Sequence, residues 1–110
     1  MASGDRTEKL LYGPYGLGTS SSWIVSPSSG YTWVIKQLIF CNTSGVEALI
    51  YMALGDANTP GNRFMSALPI AINDTIVLDT ALVLESSTQL YGYADRAGIN
   101  VFIIGWERQN

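Results

Sequence analysis

The amino-acid sequence predicts an all-β chain that folds as one antiparallel β-sandwich, with eight strands in the jelly-roll pattern. Short β-prone runs recur at about ten-residue intervals, separated by clusters of Gly, Pro, Asn, Asp and Ser. No window of about 11 residues holds a 3.6-residue apolar repeat. The chain has 110 residues, 47% of them apolar and only 14% charged, against about 25% charged in an ordinary domain. A chain of that length buries roughly 65% of its unfolded surface in one core, without staples or a metal.

The elements follow in order. Glu8 to Tyr15 is the first run, and Gly13 and Pro14 demote part of it to an edge or a bend. The glycines from Gly13 to Gly18 lack the spacing of a dinucleotide fingerprint, and no helix pattern follows. Ser20 to Val25 is the second strand. Ser26-Pro27-Ser28-Ser29-Gly30 is a turn by composition, with Pro fixing φ and Gly free to take φ > 0.

Tyr31 to Asn42 is the most apolar strand. Strict alternation puts Tyr31, Trp33, Ile35, Ile39 and Cys41 on one face and Val34, Leu38 and Phe40 on the other. Apolar residues on both faces are a surplus for one sandwich. They predict a second contact surface, supplied by another copy of the chain, with Val34, Leu38 and Phe40 as candidates. Asn42-Thr43-Ser44-Gly45 then reverses the chain, and a hairpin into Val46 to Leu54 is the simplest reading.

The polar loop from Gly55 to Asn62 follows. Its Asp56-Ala57-Asn58-Thr59-Pro60-Gly61 segment is a poor match to a calcium loop, since Pro60 and Ala67 stand where ligands are needed. Arg63 to Ile70 is a weaker strand containing Pro69, and Asn73-Asp74 is a turn. Thr75 to Leu84 is strongly alternating, with Ile76, Leu78, Leu82 and Leu84 inward and Thr75, Asp79 and Glu85 outward. Thr88 to Ala94 and Ile99 to Trp106 complete the set, joined by Asp95-Arg96-Ala97-Gly98. Tyr91 and Tyr93 share one face and form a second candidate surface. The polar residues 1–7 read as a tail or as an arm that orders on a neighbour, and residues 8–110 as the domain.

The composition excludes much chemistry. There is no histidine, which removes Ser-His-Asp and Cys-His catalysis and every imidazole metal site. One cysteine, Cys41, removes thiolate clusters, and its apolar context predicts a buried thiol. Asp79 and Glu85 lie about 20 Å apart along one strand face, beyond the roughly 10 Å of a glycosidase pair. No enzyme activity and no cofactor are expected. The net charge is −3 and the six basic residues are scattered, so no nucleic-acid partner is predicted. No apolar run approaches the ~20 residues of a membrane span, and the first residues lack a secretory signal. Asn42-Thr43-Ser44 and Asn73-Asp74-Thr75 fit the glycosylation sequon but are better explained as turns.

The strand run Tyr-Thr-Trp-Val-Ile-Lys-Gln-Leu-Ile-Phe-Cys-Asn-Thr-Ser-Gly, then Ile70-Ala-Ile-Asn-Asp-Thr-Ile-Val-Leu-Asp, Leu82-Val-Leu-Glu and Asn100-Val-Phe-Ile-Ile-Gly-Trp-Glu resemble the small β-sandwich virion proteins of tailed bacteriophages. The resemblance spans roughly Leu10 to Glu107 and rests on strand and turn chemistry. It implies a capsid decoration (cement) protein, assembled as a homotrimer on the major capsid protein within a virion, or a tail or neck component. It brings no catalytic residues with it. A rival class is a carbohydrate-binding sandwich for host attachment, in which Tyr91 and Tyr93 stack on a sugar ring beside Asn58, Asn62, Gln89 and Asp95.

Overall fold

The computed structural model describes residues 9–20, 22–55 and 60–110 of the chain. The proposed arm at 1–7 and most of the Asx-rich loop lie outside the described residues. Among the described residues there are eight strands: β1 (Lys9–Gly16), β2 (Ser22–Val25), β3 (Tyr31–Asn42), β4 (Ala48–Gly55), β5 (Arg63–Ile70), β6 (Thr75–Glu85), β7 (Gln89–Ala94) and β8 (Ile99–Gln109). One 3-10 turn, Pro60–Asn62, precedes β5.

The strands form two four-stranded antiparallel sheets, ordered β1-β8-β3-β6 and β2-β7-β4-β5. Almost every connection crosses from one sheet to the other, which is the jelly-roll order of interlocked Greek keys. Only β4 and β5 are consecutive in sequence and paired with each other. The expected hairpin between the third and fourth strands is therefore corrected. The Asn42 to Gly45 reversal carries the chain across the core, because β3 belongs between β8 and β6 while β4 belongs between β7 and β5.

The inner faces supply the core. Ile35, Leu38, Phe40, Leu84, Val101 and Ile103 of the first sheet meet Ile24, Ile50, Met52, Ile70 and Leu90 of the second, all fully buried. Pro14 and Pro69 lie on β1 and β5, both edge strands, where a missing N–H costs no ladder bond.

The middle of β3 holds the main irregularity. The fully buried Ile35 and Leu38 are three residues apart, while their partners on β8, Gly105 and Ile103, are two apart. Their partners on β6, Leu82 and Leu78, are four apart. Each step across the sheet adds a residue, so the sheet fans and bends here through stacked bulges. Thr80 Oγ1 donates a 2.6 Å hydrogen bond to the Ile35 carbonyl at this bend. Gly105 is required beside it, since a Cβ there would overlap the Val34 carbonyl oxygen.

The bulge reverses the parity of β3. Trp33 and Ile35 point inward before it; Leu38, Phe40 and Asn42 point inward after it. Leu38 and Phe40 are thus core residues, not members of a free face, which corrects two of the candidate positions. Cys41 is half-exposed and not the buried thiol its context suggested.

Candidate interaction surfaces

The outer face of the first sheet is built by cross-strand rows. Val83, Val34 and Trp106 lie side by side on β6, β3 and β8. Two steps along, Val77, Ile39 and Phe102 form a second apolar row. Between them lies a mixed row, in which Asp79 and Gln37 adjoin Ile104 and Leu10. The Gln37 amide donates to Asp79 Oδ1 at 3.2 Å. At the far end Cys41 stands between Thr75 and Asn100. Leu10 is 51% exposed, and Val77 and Val83 are each 53% exposed. Central residues of the face are half-covered by their neighbours.

This face is apolar, and its membership differs from the three positions expected on β3. Val34 belongs to it, whereas Leu38 and Phe40 are replaced by Ile39 and by residues of β6 and β8. The signal for the correction was present in the chain. Lys36-Gln37 places two polar residues in succession within an apolar strand, where a regular strand would put one of them into the core.

The outer face of the second sheet is aromatic. Tyr91 and Tyr93 both lie on it, half-exposed. Tyr91 pairs with Trp23 on β2, whose side chain is 51% exposed. Tyr93 pairs with Tyr51 on β4, and the two rings stack with centroids 4.6 Å apart and planes 7° from parallel. The Arg63 guanidinium sits 4.9 Å from the Tyr51 ring centroid and donates to the Tyr93 hydroxyl at 3.2 Å. The Tyr91 hydroxyl donates to Gln89 Oε1 at 3.1 Å. Trp23, Tyr51 and Arg63 come from three other strands, so the sequence gives no local sign that they join Tyr91 and Tyr93.

A cleft of about 480 Å³ opens between β5 and β6, lined by Leu38, Phe64, Met65, Leu68, Leu78 and Asp79, among others. Asp79 is the one carboxylate among its lining residues. Among the described residues no cluster of three or more His, Cys, Asp or Glu side chains could hold a metal. No helix among them is long and apolar enough to cross a membrane.

No family model matches the chain, and no curated protein matches it. Solved structures do. A chain from the Bacillus endospore appendages, described as a family of disulfide-linked pili, is similar with a TM-score of 0.52 at 8% identity, over 99% of this chain and 94% of that one. A pentameric capsid protein isolated from metagenomic phage sequences, solved in two crystal structures, gives a TM-score of 0.42 at 14% identity, over 86% of this chain and 59% of that one. The appendage likeness is one of fold.

Proposed function

We propose that the chain is a non-enzymatic structural subunit of a phage virion: a capsid decoration protein that assembles with copies of itself and stabilises the shell by binding the major capsid protein. The observation that carries this reading is the apolar outer face of the first sheet, Val34, Ile39, Val77, Val83, Phe102 and Ile104. One face of that sheet already covers the core, and a two-layer sandwich needs no apolar residues on the other. A second apolar face is a contact surface. Binding confined to the assembled shell would stabilise it by mass action. Three copies per assembly, and the decoration position in preference to the tail or neck, come from the family resemblance.

The pili to which the fold is similar are described as disulfide-linked. A covalent chain of subunits needs at least two bridging thiols in each, and this sequence contains Cys41 alone. A continuous disulfide-linked chain therefore cannot be built from this sequence, since one thiol joins at most two copies.

The test is co-sedimentation of the purified protein with assembled shells of a tailed-phage major capsid protein. Binding is expected for the native chain and lost in Ile39→Lys and Phe102→Lys, while circular dichroism stays native. No binding to shells or to other virion assemblies, together with a monomer at micromolar concentration in sedimentation velocity, would overturn the proposal.

A second reading is favoured by the aromatic face of the second sheet. An exposed indole at Trp23 beside the hydrogen-bonded Tyr91 and Gln89 pair offers a flat apolar ring with a polar rim, the arrangement that stacks on a pyranose. Glycan-array binding lost in Trp23→Ala and retained in Phe102→Lys would establish it as the attachment function.

A further inference from the structure

Four strands are sheet edges: β1 and β6 in the first sheet, β2 and β5 in the second. A free edge presents a row of unpaired N–H and C=O groups, and chains that remain apart blunt such edges. Three of the four are blunted. β1 carries Gly13 at φ 118°, Pro14 and two register shifts. β2 has four residues. β5 carries Pro69 and places Ala67 at φ 56°.

β6 is different. It runs for eleven residues without proline, lysine or arginine and without a positive φ. Its side chains alternate between exposed and covered from Thr75 to Glu85 without interruption. Its one irregularity is an extra residue, Thr80 and Ala81 standing opposite Lys36 alone, and this single bulge leaves the alternation intact.

The sequence of β6 also reads alike in both directions. About Thr80, Ile76-Val77-Leu78 on one side is mirrored by Leu82-Val83-Leu84 on the other. An antiparallel strand that pairs with its own copy across a two-fold axis sets each residue opposite its mirror position. A palindrome of apolar residues is the pattern such a pairing needs.

We propose that β6 is the edge at which a second copy of this chain adds, antiparallel and centred on Thr80, so that the two first sheets become one continuous sheet. This deepens the self-assembly reading and rests on it. With that register Val77 faces the partner's Val83, and Leu78 faces the partner's Leu82. Asp79 faces the partner's Ala81, which keeps the two carboxylates from opposing one another. Val77 and Val83 are among the most exposed large apolar side chains of the domain, and the pairing covers both. The contact is two-fold, so it predicts assemblies with an even number of copies: a dimer, or two trimers joined.

Register-specific crosslinking tests it. In a Cys41→Ser background, Val77→Cys and Val83→Cys chains are oxidised separately and as a mixture, and the products are read on non-reducing gels. The mixture is expected to give a crosslinked dimer at least about tenfold more abundant than either chain alone, because directly opposed Cβ atoms approach to about 5 Å. Val83→Lys, at an exposed position, is expected to keep the native circular dichroism and to weaken self-association about tenfold or more, while Val46→Lys, exposed in the connection between β3 and β4, leaves it unchanged. Self-association with no preferential mixed crosslink, or a crosslink as strong in either chain alone, would overturn pairing through β6 and leave assembly through another surface standing. A monomer at all concentrations, on its own and on shells, would overturn both readings.

Discussion

Asn42 shows how one side chain locks the two sheets together. It is 1% exposed, and its amide nitrogen donates to the carbonyl oxygens of Val46, Ile70 and Ala71 at 2.7, 3.1 and 3.2 Å. Its oxygen accepts from the backbone N–H and the hydroxyl of Ser44. The residue thereby ties the end of β3, in the first sheet, to the end of β5, in the second. The same amide cannot serve as a glycan acceptor in the folded domain, which supports reading this sequon as turn chemistry. Asn42→Ala is expected to cost about 2–4 kcal/mol, since several buried polar groups lose a partner, and to lower the urea midpoint at unchanged slope. Asn42→Asp puts a carboxylate against three carbonyl oxygens, which disfavours its charged form in the folded state and raises its pKa there. The penalty of this variant is therefore small below pH ~4 and grows as pH rises through and above that value. Urea melts at acid and neutral pH separate the two variants.

At the scale of the strand, most boundaries were legible because turn residues announce themselves, and the register was not. The runs Tyr31 to Asn42 and Arg63 to Ile70 coincide with β3 and β5. Pairing partners lie far apart in sequence, and nothing local tells Asn42-Thr43-Ser44-Gly45 to cross the core instead of closing a hairpin. The parity of β3 was signalled only by the two successive polar residues Lys36 and Gln37. A bulge adds one residue without changing composition, so alternation read through Lys36 assigns Leu38 and Phe40 to the wrong face. Adjacent substitutions give a direct check. Phe40→Asp places a carboxylate in the core and is expected to abolish folding or cost more than about 4 kcal/mol. Ile39→Asp, one residue away on the outer face, is expected to leave the circular dichroism native and to remove binding to shells. Strict alternation through Lys36 would predict the reverse order, which thermal melts of the two variants would reveal at once.

At the scale of the molecule, the sequence disclosed that a surface was surplus, though not how it was assembled. Val34 belongs to it, while Val77, Val83, Phe102 and Ile104 come from strands more than 40 positions away and become one face only through the sheet order. The absence of histidine and of paired thiols was visible from the start. If copies of the chain bury that face in one another, folding and assembly are linked. Whatever binds the native state alone raises its apparent stability with concentration, by about 1.4 kcal/mol for each tenfold increase where a dimer unfolds to separate chains. The urea midpoint of the native protein is therefore expected to rise over a hundredfold range of protein concentration. That of Val83→Lys is expected to rise less over the same range. Trp23→Ala, on the aromatic face, should retain the concentration dependence of the native protein, because the first sheet is untouched. A midpoint independent of concentration in all three proteins would show that the apolar face is reserved for a different chain, and the capsid binding measurement would then identify that face's partner.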